Sequence, residues 1–181
     1  MDESSNEPKE VTEVFDWYRV NFGFVPNLSK VLSASPAALR SYWFTQMQLQ
    51  QLGLLTPEEH NVIQMCVAVE NRCKYCASGH HMLGKAFFGS EEEDLQALRN
   101  ESKLSTEKFD ALRSFTLEVY RNHGRVSDQV LDSFLSQGYT KAQAVEVVAN
   151  IAVKVLSNLT NQLALTELDE ALNPFAEGLF A

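Results

Sequence analysis

The stretch LTPEEHNVIQMCVAVENRCKYCASGH, Leu55 to His80, decides the fold. Thr56, Pro57 and Glu59 form a helix-opening signal: a capping hydroxyl, a proline at the first helical position and a glutamate three residues after the cap. From Val62 to Val69 the side chains are apolar on nearly every side except Gln64, so this helix is predicted to be central and buried. The pattern breaks at Asn71-Arg72-Cys73, and a second helix is predicted from there to about Phe88.

Outward from this pair the same signals recur. On the N-terminal side, Ser35-Pro36 opens a helix over Ala37 to Leu52 that Gly53 closes. Before it, Val11, Val14, Phe15, Tyr18 and Phe22 have helical spacing over Glu10 to Phe22, with Gly23 as the stop. Pro26 makes 23–27 a connector, and a short helical turn is expected at Leu28 to Leu32. On the C-terminal side, Gly89-Ser90 caps Glu91 to Leu98, a polar link spans 100–106, and a helix runs from Glu107 to Asn122 before Gly124. Ser127-Asp128 opens another helix, closed by Gly138. Thr140 caps a last long one from Lys141 to about Leu165, largely apolar from Val145 to Leu156. No run of strands interrupts this series. The chain reads as all-α: a flexible tail over residues 1–8, then one helical domain over 9–181.

At 181 residues, 45% apolar and 22% charged, the chain suits one soluble domain with a sizeable core. No apolar run was expected to approach the roughly 20 residues of a membrane span. The acidic, polar start at Met1 to Glu7 is the reverse of a secretory signal, so a cytoplasmic address is expected, with no membrane partner. A net charge of −9 argues against nucleic acid, which is bound through clustered Lys and Arg.

Three cysteines in a chain with no export signal make a poor disulfide framework; in a reducing compartment a close pair points at chemistry. Cys73 at a helix mouth and Cys76 one turn in can close a disulfide. The unpaired N–H groups there favour a thiolate, and Arg72 and Lys74 push the same way. His80, four residues after Cys76, lies on the same helical face and can move a proton. Glu70, three residues before Cys73, can orient or accept one. The pair also admits blander readings, as part of a metal site with His80 or as two inert helix thiols; no cofactor is called for. Cys66 reads as core, Tyr75 as either a hydrogen-bond donor or a packed ring, and His60, His81 and His123 as surface residues. Asn150, Asn158 and Asn161 read as buried amides that satisfy backbone groups.

With those residues in hand, the chain resembles the alkylhydroperoxidase D-like branch of the carboxymuconolactone decarboxylase family, closest to its peroxidase-related members. The resemblance rests on Phe22-Gly23-Phe24-Val25-Pro26-Asn27 with Ser35-Pro36-Ala37-Ala38-Leu39, and on Leu55 to Glu59 running into Glu70-x-x-Cys73-x-x-Cys76-x-x-x-His80. Gly124-Arg125-Val126-Ser127-Asp128 with Gly138-Tyr139-Thr140 completes it. It implies an AhpD-like helical bundle assembled as a dimer, trimer or hexamer, and thiol-dependent reduction of hydrogen peroxide or organic hydroperoxides in antioxidant defence. In that scheme Cys76 attacks the peroxide, Cys73 resolves the sulfenic acid as a disulfide, His80 relays protons and an external dithiol or protein reductant restores the pair. The better-studied peroxidases carry a glutamate where this chain has Asn61. Glu70, or Glu58 or Glu59, is then expected to take its place, or peroxidase action is weak and the protein is a disulfide oxidoreductase or redox relay. A non-enzymatic metal-binding module is the remaining alternative. Members that decarboxylate lactones lack the thiol pair.

Overall fold

The computed structural model describes residues 8–180, and among these there is no strand. The expected tail over residues 1–8 lies outside the described residues apart from Pro8, which precedes the first helix. Helices α1 (Lys9–Phe22), α2 (Asn27–Leu32), α3 (Pro36–Leu52), α4 (Pro57–Glu70), α5 (Lys74–Leu83), α6 (Glu92–Arg99), α7 (Glu107–Arg121), α8 (Asp128–Ser136) and α9 (Lys141–Ala164) follow in order.

The centre is α4, buried without interruption from Glu59 to Val69 and packed against α5, α6, α7 and α9. Its start is held by the reciprocal cap read from the sequence. Glu59 N–H donates to Thr56 Oγ1 at 3.2 Å, and Thr56 N–H donates to Glu59 Oε2 at 2.8 Å. Thr140 makes the same reciprocal cap with Gln143, while Ser35, Thr106 and Ser127 accept one backbone N–H each. Each satisfies a backbone donor of the first turn that has no partner within the helix.

On the far side of α4, Phe134 of α8 is fully buried between Phe115, with ring centroids 4.2 Å apart, and Tyr139, 4.4 Å. Removing this ring leaves a void between two helices and the α8–α9 turn. Phe134→Ala is expected to cost about 3–5 kcal/mol of stability, read as a lower urea midpoint with an unchanged slope.

Three features depart from the sequence expectation. The helix expected to reach Phe88 ends at Leu83 and passes into a wider π-helical turn over Gly84–Phe88. Gly84 explains the change: a Cβ there would lie 2.7 Å from both Asn61 Nδ2 and Leu95 Cδ2, so α4 and α6 press directly on its backbone. Beyond α9 the chain does not trail off. It turns at Leu165 into a 3₁₀ turn over Glu170–Leu172 and a short α10 (Asn173–Ala176) packed on α5. These elements are too short to show periodicity. Finally, α9 at 24 residues has the length and composition of a membrane-crossing helix, against the expectation that no run would. Along it Asn150, Lys154, Ser157, Asn158 and Asn161 are buried against the protein, while Val145, Val148, Leu159 and Leu163 are exposed.

Candidate active site

Cys73 and Cys76 owe their position to the turn between α4 and α5. Arg72 adopts a left-handed conformation, φ 51°, and Cys73 N–H reaches back to Ala68 O at 2.9 Å, which reverses the chain within three residues. Cys73 then sits at the N-cap of α5 and Cys76 in its first turn. Both are free thiols, 2% and 4% exposed. The two thiols are near neighbours, and each perturbs the ionisation of the other in opposite directions.

The rest of the sulfur environment comes from α9. Lys154, Ser157 and Asn161 recur at positions i, i+3 and i+7, one stripe of a helix. Asn161 Nδ2 donates to Cys76 Sγ at 3.2 Å, and Ser157 Oγ lies 3.7 Å from the same sulfur. The Lys154 side chain is 2% exposed, and the groups whose charge bears on it are the two thiols. Burial alone pushes the Cys76 thiol up. The interaction with Cys73, the charge of Lys154 and the contacts with Ser157 and Asn161 outweigh it, leaving Cys76 at about 6. Cys73 moves the opposite way, because its proton is held by Cys76 and it too is buried. Burial also lowers Lys154.

His80 lies one turn beyond Cys76, and its Nδ1 donates to Asn61 Oδ1 at 2.8 Å. Burial, with the charge of Lys154, drives its pKa well below the usual value, so the ring is neutral and Nε2 keeps its lone pair. Asn61 thus orients the imidazole without supplying the charge that a carboxylate would.

The glutamates considered as substitutes for that carboxylate stand elsewhere. Glu70 forms an ion pair with Arg121, 2.9 Å from Oε1 to Nε, and does not line the cavity beside Cys76. Glu59 is bound by its cap and by Lys108 at 2.8 Å, and neither Glu58 nor Glu59 lines the cavity beside Cys76. Arg72 lies over the Phe180 ring and Lys74 is exposed, so neither cation acts on the thiols; Lys154 does.

Tyr75 is a donor. Its hydroxyl bonds to Asp169 Oδ2 and accepts the Leu28 backbone N–H at 3.2 Å, while Asp169 also takes the Asn27 N–H at 3.1 Å. The C-terminal segment and α2 are thereby tied to the turn that carries both thiols. Cys66 is core, its thiol pushed up to about 12 by burial. Two histidines are not where the sequence reading put them. His60 is buried, with Nδ1 3.0 Å from Asn150 Oδ1 and Nε2 3.3 Å from Glu146. His81 is buried between Glu92, at 3.2 Å, and the Phe175 ring. Of the α9 amides only Asn150 serves the backbone as expected, donating to Glu146 O at 3.0 Å while accepting from Gln64 at 2.9 Å; Asn161 binds the sulfur and Asn158 accepts from Asn71.

Cys76, His80, Asn61 and Lys154 open on one cavity of about 410 Å³, enclosed by α1, α3, α4, α5, α9 and the connector at Phe24–Pro26. Such a volume is that of a small-molecule site. Among the described residues no three His, Cys, Asp or Glu side chains come together as a metal-binding group. The arrangement therefore offers a paired thiol of lowered pKa facing a partly open pocket, with a buried amine and a neutral imidazole beside it.

No family model matches the sequence, and no curated protein does. Solved structures do match. An uncharacterised peroxidase-related protein from Ralstonia eutropha JMP134, described as an alkylhydroperoxidase AhpD core, superposes with a TM-score of 0.80. It is 19% identical and covers 91% of this chain and 88% of its own. A peroxidase-related protein from Silicibacter sp. TM1040 gives 0.72 at 16% identity over 92% and 87%. The debrominase Bmp8, as a cysteine-to-alanine variant in complex with 2,3,4-tribromopyrrole, gives 0.79 at 16% identity over 99% and 95%. The chain has the all-helical fold of the alkylhydroperoxidase D-like proteins.

Proposed function

We propose that this protein is an enzyme that reduces hydroperoxides through Cys76 and Cys73, with a role in antioxidant defence. The observation that carries the reading is the Cys76 sulfur, held as a thiolate by Cys73, Lys154 and Asn161 at the wall of a cavity of small-molecule size. The alkylhydroperoxidase D-like fold supports the same class.

The chemistry balances on these groups. The Cys76 thiolate attacks the terminal oxygen of R–O–O–H, and the O–O bond breaks to give Cys76–S–OH and an alkoxide. Neutral His80 accepts a hydrogen bond from the attacked O–H and orients it. The Lys154 ammonium, made a better acid by burial, protonates the alkoxide to ROH. The Cys73 sulfur then displaces the hydroxyl as water, forming the disulfide. An external dithiol or protein reductant supplies two electrons and two protons, restoring the Cys73 thiol, the Cys76 thiolate and the Lys154 ammonium. Cys76 is thus the nucleophile and Cys73 the resolving thiol. Lys154 carries the proton-donating part that the sequence assigned to His80 and Glu70. The test is hydroperoxide consumption coupled to dithiothreitol oxidation, one dithiol per peroxide. Absence of turnover by protein with both thiols reduced rejects the reading.

Exchange with a protein disulfide is less well supported, because both sulfurs are almost wholly enclosed. A second small-molecule reading is favoured by the aromatic cavity walls and by the debrominase relative. In it Cys76 takes a halogen from an aryl halide, a proton replaces the halogen on the ring, and Cys73 displaces halide from the sulfur as the disulfide forms. Dithiol-dependent bromide release from 2,3,4-tribromopyrrole, without peroxide turnover, would select it.

Self-association through the exposed apolar residues of α9 belongs to the same proposal. Light scattering is expected to give a dimer, trimer or hexamer; a monomer at micromolar concentration would remove this part.

A further inference from the structure

The cavity beside Cys76 is far larger than hydrogen peroxide requires. Its volume of about 410 Å³ compares with the roughly 30 Å³ that one water molecule occupies in the liquid. Its walls differ by origin. From α1 and α3 come Trp17, Tyr18, Phe22, Tyr42 and Trp43, and the connector adds Phe24. Polar groups come mainly from α4, α5 and α9, around the sulfur. The two indoles meet edge to face, centroids 6.0 Å apart at 74°, and Trp17 also packs on Tyr18 and Phe22 while Arg40 lies over Trp43, so the wall is a preformed aromatic surface.

Of the polar side chains that α4 places on this wall, Gln64 is satisfied: Gln64 and Gln46 exchange hydrogen bonds at 2.9 and 3.1 Å, and Gln64 also donates to Asn150 at 2.9 Å. Asn61 holds His80 through its oxygen and leaves its buried Nδ2 without a partner. An apolar ring against α1 and α3 therefore strands neither glutamine, and the free Asn61 amide is a donor for an oxygen brought to the thiolate end. The two ends of the cavity have different requirements. One end takes an oxygen to the thiolate, and the other takes an apolar ring.

We propose that the cavity is a site for a neutral aryl group, and that the substrate is an aryl or arylalkyl hydroperoxide held with its ring against Trp17 and Trp43 and its O–O bond at Cys76. The proposal rests on the peroxidase reading for the reaction, and on the cavity alone for the ligand class.

The experiment compares cumene hydroperoxide with hydrogen peroxide as oxidants, with dithiothreitol as reductant. Burial of the ring is expected to raise kcat/KM for cumene hydroperoxide by about 10- to 100-fold over hydrogen peroxide. Trp43→Ala is expected to cut that ratio several-fold, with the Cys76 thiolate absorbance unaltered as the sign that the sulfur site is intact. A second measurement does not depend on turnover. The chain has two tryptophans and both line the cavity, so the product alcohol 2-phenyl-2-propanol is expected to change intrinsic fluorescence saturably. Equal or faster reaction with hydrogen peroxide, with no fluorescence response, overturns the ligand class and leaves the peroxidase reading standing. A saturable response with neither peroxide consumed upholds the aryl site and removes the peroxidase reading. If neither peroxide is consumed and fluorescence does not change, both fall.

Discussion

Cys76→Ser is expected to lower dithiol-dependent hydroperoxide consumption by at least about 1000-fold, because the hydroxyl that replaces the thiol does not ionise near neutral pH and the first bond to oxygen does not form. The protein should remain folded, since Asn161 can donate to the new oxygen as it does to sulfur, and a change within about 1 kcal/mol is expected. Cys73→Ser has a different signature. The first oxidation survives, so one equivalent of peroxide is consumed and a sulfenic acid is trapped by dimedone, but turnover stops. The assignment of roles rests on this asymmetry. If Cys73→Ser, and not Cys76→Ser, lost the first oxidation, nucleophile and resolving thiol would exchange places. The native pH profile bears on the same point. With Cys76 at about 6, the rate of first oxidation should be on its plateau at neutral pH and fall as pH drops through about 6, since the reactive form is the deprotonated one. A free thiol would still be climbing near pH ~8.5.

Lys154→Met should produce opposite signs in activity and stability. Loss of the ammonium removes a charge that holds Cys76 ionised, so its pKa rises and the thiolate fraction at neutral pH falls. It also removes the group that protonates the leaving alkoxide. A drop of about 10- to 100-fold at neutral pH is expected. Raising the pH recovers the part due to ionisation and leaves the part due to proton donation. Stability should increase by about 1–4 kcal/mol, because a buried cation opposite two sulfurs is replaced by an apolar side chain of similar length. An activity loss with no shift in the pH profile would show that Lys154 acts on packing and not on charge. Loss of stability would show that the amine is better compensated than its surroundings suggest.

The caps at Ser35, Thr56, Thr106, Ser127 and Thr140 illustrate how far local chemistry reaches. Each is a hydroxyl within three residues of the N–H it accepts, so the helix starts could be read without knowing what packs on them. Thr106 was nevertheless read only as the end of a polar link. Local chemistry also relates Cys73, Cys76 and His80, which are joined by helical spacing alone. Elsewhere the local view failed. Glu70 is close to Cys73 in sequence, yet Arg121 draws it away through an ion pair from a helix 51 residues distant. His60 and His81 have polar neighbours in sequence but are buried, because α9 covers one and α6 with the C-terminal segment covers the other.

Lys154, Ser157 and Asn161 mark the division. Their spacing along an apolar helix was visible as a polar stripe, but a stripe does not say what it faces. The helical pattern, the thiol pair and the turn that carries it are properties of the sequence itself, because they depend on groups a few bonds or one helical turn apart. Which charged and polar groups surround each thiol, which carboxylate binds Tyr75 and how much room lies before Cys76 were decided only by tertiary packing. Those properties depend on charges and walls brought together from positions 47 to 94 residues away, where a pKa or a cavity is a sum over neighbours and not over sequence.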